Sequence, residues 1–191
     1  MPEARAVFLD RDGTLVEDPG FLGDAAQVRL LPGVAAAIRQ LNDADLRAIV
    51  VTNQSGIARG LYSLDAYFAT ERRVNELLLS EGARLDAHYF CPHLPEISGP
   101  CDCRKPATLL YRQAGERFGI DLAASWWIGD RLRDLEPGTT LGGRGILVET
   151  GAGPEYVTEA HRLGFPVVPD LLSAVRFILA RTGPALGSQP R

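Results

Sequence analysis

Short apolar runs alternate with amphipathic stretches along most of the chain. The first run, Ala6-Val7-Phe8-Leu9, has the pattern of a buried strand and stops at Asp10-Arg11-Asp12-Gly13. Residues 16–32 are rich in Gly, Pro and Asp and predict a loop or small flap. Pro32-Gly33 then opens a helix with Val34, Ala37, Ile38 and Leu41 on its apolar face, ending near Asn42-Asp43. A second buried strand over 47–52 runs into the polar loop Asn53-Gln54-Ser55-Gly56. Ser63 is placed to cap a helix over 64–81, with Phe68, Val74, Leu77 and Leu78 inward and Gly82 as its stop. Further strands are predicted over 87–91, 125–128 and 144–148. Helices are predicted over 108–118, closed by Gly119, around 155–163, and over 171–181, with 182–191 as a flexible tail.

Strands that alternate with helices imply an α/β fold, a Rossmann-like parallel sheet sandwiched by helices. Ligands of such sheets lie beyond the carboxyl ends of the strands. That rule brings Asp10, Thr52, the segment after 91 and Asp130 to one rim. The gap after the first strand is too short for an inserted helical domain. A single capless domain over 1–181 with an open, loop-roofed site is therefore expected.

Composition narrows the partners. The 191 residues carry a formal net charge of −4, which disfavours a general nucleic-acid or anionic-membrane binder. No apolar run approaches membrane-spanning length and none precedes the first strand, so a cytoplasmic location is expected. A small-molecule partner, met by a monomer, is expected.

Two oddities of composition point to chemistry. All three cysteines fall in one window with a histidine: Cys91-Pro92-His93, seven residues, then Cys101-Asp102-Cys103. Three thiolates and one imidazole make the closed set that structural Zn²⁺ prefers, with no position left for a catalytic water. The intervening residues 94–100 hold too few apolar side chains to order themselves, so the metal would supply that energy. The second oddity is that one of the 20 basic residues, Lys105, is a lysine and all the others are arginines. A compact ammonium kept at one position suits a point charge that must reach a phosphate oxygen.

Asp10 and Asp12 crowd one turn beside free backbone amides. As mere structure the pair repels itself. Around a divalent cation it offers a nucleophile and a proton donor. The Thr52 hydroxyl at the end of a strand suits a phosphate oxygen, although Thr-Asn is also an ordinary turn. Asp130 ends another strand and would complete an oxygen-rich Mg²⁺ site with Asp10 and the Asp12 main-chain carbonyl. Asp134 would support the metal's waters, and Arg131 could hold a second phosphate or a sugar oxygen.

Taken together, Asp10-Arg11-Asp12-Gly13-Thr14, Thr52-Asn53-Gln54-Ser55-Gly56, the Cys/His loop, Arg104-Lys105-Pro106 and Gly129-Asp130-Arg131 resemble the motifs of the haloacid dehalogenase superfamily over roughly residues 5 to 150. The zinc loop joined to Arg-Lys-Pro narrows the likeness to a capless branch. Its members act on D-glycero-D-manno-heptose 1,7-bisphosphate at position 7; histidinol-phosphate phosphatases share the loop. The resemblance implies that Asp10 attacks phosphorus and that Asp12 protonates the leaving oxygen and then activates water. It also implies that Thr52 and Lys105 hold the phosphoryl group, with Asn53 and Arg104 as substrate contacts. The alternatives are a histidinol-phosphate phosphatase and a zinc-stabilised binding protein with a relic site. The stretch Glu136-Pro137-Gly138-Thr139-Thr140 departs from the Ala-rich turn of that branch, and Pro137 should cut its helix short. The flap 17–22 is also not a close match.

Overall fold

A computed structural model describes residues 4–182. The tail expected over 182–191 lies, apart from Thr182, outside the described residues. Six parallel strands form one sheet in the order β3-β2-β1-β4-β5-β6. They are β1 (Ala6–Leu9), β2 (Arg47–Asn53), β3 (Ala87–Cys91), β4 (Trp126–Gly129), β5 (Arg144–Val148) and β6 (Val167–Val168). Register pairs Leu9 with both Val50 and Ile128. Asp10, one residue beyond that pairing, donates its backbone N–H to the Ile128 carbonyl at 2.9 Å.

The continuous apolar runs are explained by burial on both faces. Val7, Leu9, Ala48 and Val50 face one core with α1 (Val34–Asp43), α3 (Leu64–Ser80) and α8 (Leu171–Thr182). Ala6, Phe8, Ile49, Val51 and Trp127 face the other, against Leu110, Tyr111 and Ala114 of α5 (Leu109–Phe118). The predicted face of α1 is fully buried, and Gly119 closes α5 in the left-handed region at φ +60°. Ser63 caps α3 as expected, accepting from the Ala66 amide. Phe68 does not belong to the inward face of α3: it is exposed beside Phe90, and Tyr67 and Thr70 are buried there instead.

The remaining elements are short: α2 (Ser55–Ala58), α4 (Pro95–Ser98), α6 (Leu132–Thr140) and α7 (Val157–Arg162). The loop 94–100 orders itself more than its composition implied. Leu94 is buried, and the Ser98 hydroxyl accepts from its amide and donates to its carbonyl. Pro137 does not cut α6. The helix runs three residues past it because Pro137 and Gly138 are buried where α6 closes on β4, which outweighs one lost backbone bond. No helix among the described residues is long and apolar enough to cross a membrane.

The contact at Gly138 sets two effects against each other. Alanine there gains roughly 1 kcal/mol of helix propensity, but its Cβ would stand 2.9 Å from Cε3 of the fully buried Trp127 ring. Overpacking of that kind costs about 1–3 kcal/mol. Gly138→Ala is expected to lower the urea unfolding midpoint; a raised midpoint would contradict this packing.

Candidate active site

The chain leaves β1 through Asp10, and Gly13 turns it at φ +81°. A side chain at Gly13 would overlap the Asp130 carboxylate, so the turn presses directly on the end of β4. Asp10, Thr52, Lys105, Asp130 and Asp134 come together there, all buried.

Lys105 is at the centre. Its ammonium lies 2.6 Å from Asp10 Oδ1, 2.8 Å from the Val51 carbonyl and 2.8 Å from Asp134 Oδ1. Three donors meet three acceptors, the full capacity of an ammonium. Burial alone would lower the Lys105 pKa; the Asp10 and Asp134 carboxylates outweigh it and raise it well above its ordinary value. The charge is therefore fixed. Asn53 clamps the Lys105 backbone, accepting from its amide at 3.0 Å and donating to its carbonyl at 3.2 Å. The carboxamide keeps one N–H and one lone pair, and Asn53 also lines the cleft above the carboxylates. Asn53 positions Lys105.

Asp134 has two protein partners. It pairs with Lys105 and accepts from the Arg131 amide at 3.1 Å, closing the first turn of α6. Its carboxylate oxygen also lies within 4.8 Å of those of Asp10 and Asp130. Asp130 accepts from the Ala152 amide at 2.8 Å through Oδ2. Its Oδ1 is buried and accepts no hydrogen bond among the described residues, with Arg131 Nε at 3.8 Å. Burial, then the charge of Asp10, pushes the Asp130 carboxyl up to about 7. An orphaned carboxylate oxygen beside a second carboxylate, in an all-oxygen set, fits Mg²⁺.

Asp12 sits at the cleft wall with its side chain one-fifth exposed. Arg11 grips it, Nε to Oδ1 at 2.9 Å and Nη2 to Oδ2 at 3.0 Å. Burial pushes the Asp12 carboxyl up, Arg11 pulls it down, and Asp10 adds to the rise. Arg11 is one of the largest fully buried side chains, and the sequence reading passed it over. A cation between two acids was the available signal.

The Cys/His expectation is met geometrically. Cys91 Sγ lies 3.7 Å from Cys101 Sγ and 3.0 Å from Cys103 Sγ, with His93 Nδ1 3.2 Å from Cys103 Sγ. All four donor atoms fall within 4.8 Å of one another. Tetrahedral Zn–S bonds of 2.3 Å place sulfurs roughly 3.8 Å apart, which the Cys91–Cys101 pair matches and the Cys91–Cys103 pair undershoots. Three thiols and one imidazole gathered this closely are the donor set of a closed zinc site. Arg104 donates to the His93 carbonyl at 3.2 Å, tying this loop to the residue before Lys105.

Above the carboxylates opens a cleft of about 260 Å³ lined by Asp10, Asp12, Thr52, Arg104, Lys105 and Arg131, with Asp18 and Phe21 of the flap and with Arg59 and Arg133. Arg131 faces Asp18 at 3.9 Å as well as Asp130. Arg59, Arg104 and Arg133 form no ion pair with a carboxylate among the described residues. A larger hollow of about 660 Å³ lies near Trp126 and Phe177, away from these groups.

The chain is similar to proteins of known kind. A HAD-hydrolase-like family model matches residues 102–174. The chain is 39% identical to the D-glycero-D-manno-heptose-1,7-bisphosphate 7-phosphatase of Thermosynechococcus vestitus, covering 94% of this chain and 97% of that one. It is 41% identical to the D-glycero-β-D-manno-heptose-1,7-bisphosphate 7-phosphatase of Haemophilus ducreyi, over 91% and 98% of the two chains. Among solved structures, the D,D-heptose 1,7-bisphosphate phosphatase of B. bronchiseptica, complexed with magnesium and phosphate, superposes with a TM-score of 0.85 at 34% identity, over 93% and 99%.

The raised Asp130 pKa carries a sign that can be checked. Its ordinary value is about 3.9, so the fold favours the neutral carboxyl. That favourable share is whole below pH 4 and is lost as pH rises through about 7. In magnesium-free protein with zinc retained, Asp130→Asn should raise Tm at pH 8, the gain shrinking as pH falls from 7 to 4. Adding Mg²⁺ at pH 8 should raise Tm of the native protein and leave the variant unmoved. A native Tm indifferent to Mg²⁺ would contradict the metal assignment.

Proposed function

Since the chain belongs to the haloacid dehalogenase-like phosphatases, in the branch of the heptose 1,7-bisphosphate 7-phosphatases, and is thereby a phosphoric monoester hydrolase, we propose that it removes the 7-phosphate of D-glycero-D-manno-heptose 1,7-bisphosphate. The reaction proceeds in the cytoplasm through a phospho-aspartate on Asp10. The observation that carries this reading is the charge order of the cleft. Carboxylates and one ammonium lie at its floor, and guanidinium groups without carboxylate partners lie at its mouth.

The chemistry follows from those groups. An Asp10 carboxylate oxygen attacks phosphorus, and the bond to the sugar oxygen breaks. Asp12 gives that oxygen its proton. Asp12, now a carboxylate, takes a proton from water as the water attacks the phospho-aspartate, releasing phosphate and restoring Asp10. Lys105, anchored by Val51 and Asp134, neutralises charge that would otherwise build up between Asp10 and the phosphoryl oxygens. Thr52 holds a phosphoryl oxygen. Bound at Asp10, Asp130 and the Asp12 carbonyl, Mg²⁺ would supply further charge neutralisation. Zn²⁺ at Cys91, His93, Cys101 and Cys103 would be structural, holding the loop from which Lys105 projects.

The mouth favours a second anion over an imidazole. Asp18 is the carboxylate of the flap that reaches the cleft, and it faces Arg131. Arg59, Arg104 and Arg133 remain for a distal phosphate. Histidinol phosphate offers no such group.

Phosphate release should be measured with Mg²⁺ on both anomers of the heptose 1,7-bisphosphate, histidinol phosphate, fructose 1,6-bisphosphate and p-nitrophenyl phosphate. A heptose bisphosphate is expected to lead in kcat/KM by at least about tenfold, losing the 7-phosphate. Preference for histidinol phosphate would overturn the substrate and keep the chemistry. No release from any ester, with zinc and magnesium bound, would overturn the enzymatic reading of this cleft.

A further inference from the structure

Behind Asp12 stands a carboxamide with no part in the steps above. Gln54 is 2% exposed. Its Nε2 donates to Asp12 Oδ2 and to Thr52 Oγ1, each at 2.8 Å. Its Oε1 accepts from Arg11 Nη2 at 3.0 Å and from the Tyr62 hydroxyl at 2.6 Å. Two donors and two acceptor sites are all used. The orientation is fixed by chemistry, because a guanidinium can only donate, so Oε1 must face Arg11. A flipped amide would set N–H against guanidinium.

Two neighbours hold Gln54 in that sense. Arg11 is anchored from the far side by the Thr70 hydroxyl of α3 at 3.1 Å and lies over the Tyr67 ring at 5.5 Å. Tyr62 is threaded between the flap and α2: a Cβ at Gly23 or at Gly56 would overlap its side chain. The slot leaves the Tyr62 hydroxyl little choice but Gln54. Thr52, as the acceptor of a Gln54 hydrogen, keeps its own hydroxyl hydrogen to donate elsewhere.

We propose that Gln54, locked by Arg11 and Tyr62, is a positioning residue for the phosphatase reaction. It aims the Asp12 carboxyl at the leaving oxygen and turns the Thr52 hydroxyl hydrogen toward the phosphoryl group. The inference rests on the phospho-aspartate reading given above. It extends that reading to Arg11, Gln54 and Tyr62, which act through Asp12 and Thr52.

The test uses leaving groups. kcat/KM reports steps up to loss of the alcohol. A sugar alkoxide needs the proton from Asp12, whereas p-nitrophenolate departs without it. Asp12→Asn sets the scale for a lost acid. Gln54→Leu should lower kcat/KM for the sugar phosphate by about a hundredfold and for p-nitrophenyl phosphate by only a few fold. Tyr62→Phe keeps the ring in its slot and should show the same selective loss at about tenfold. It carries the test should Gln54→Leu fail to fold, as judged by its melting curve. Equal losses on both esters, or no loss in folded variants, would overturn the role of Gln54 and leave the phosphatase reading standing. A native enzyme that hydrolyses neither ester would overturn that reading first.

Discussion

One buried ammonium ion ties the site together. Lys105 reaches the end of β1 through Asp10, β2 through the Val51 carbonyl and α6 through Asp134. Removing one partner from such a buried set typically costs 3–5 kcal/mol, because the others stay charged and unpaired. Here the loss would leave Asp10 and Asp134 facing each other with no cation between them, and Asp130 with Arg131 at 3.8 Å. The rest of the local structure holds Lys105 in place. Asn53 fixes its backbone, Arg104 ties the preceding residue to His93, and the Cys/His cluster closes the loop before it. A lysine suits this position where the other basic sites use arginine, because a planar fork could not meet three acceptors disposed around a point.

Charge is graded along the cleft. At the floor, three carboxylates against one ammonium leave two negative charges, which a single divalent cation would cancel. Asp12 stands aside from that cluster, neutralised by the bidentate grip of Arg11. At the mouth the sign reverses to guanidinium. A doubly phosphorylated sugar is matched at both ends by this order, with the ester to be cut at the buried end. Phe21 of the flap lies 5.8 Å above Arg59, so the roof of the cleft rests on one of the groups that rim it.

Much of this was legible in the sequence for local physical reasons. Ala6-Val7-Phe8-Leu9 is buried on both faces and reads as an uninterrupted apolar run. The buried face of α1 follows the 3.6-residue period, and every proposed zinc ligand lies in one short window. The carboxyl-end rule then gathered Asp10, Thr52, the Cys/His segment and Asp130 from distant segments. What escaped notice depends on distance in the fold. Gln54 looks like a loop residue until Arg11, Asp12, Thr52 and Tyr62 converge on it, and the slot for Tyr62 needs Gly23 and Gly56 from separate segments. Local chemistry likewise could not reveal that Asn53 also clamps the Lys105 backbone. Pro137 looked like a breaker because propensity does not register the packing of Gly138 on Trp127.

The most direct measurement on the proposed chemistry is mass spectrometry of acid-quenched enzyme after brief exposure of Asp12→Asn to p-nitrophenyl phosphate and Mg²⁺. With the water-activating carboxylate gone, a phosphoryl group should accumulate on the peptide that carries Asp10, and the double variant with Asp10→Asn should show none. Release of nitrophenol beyond one equivalent with no adduct on that peptide, or an adduct that persists without Asp10, would contradict Asp10 as the nucleophile.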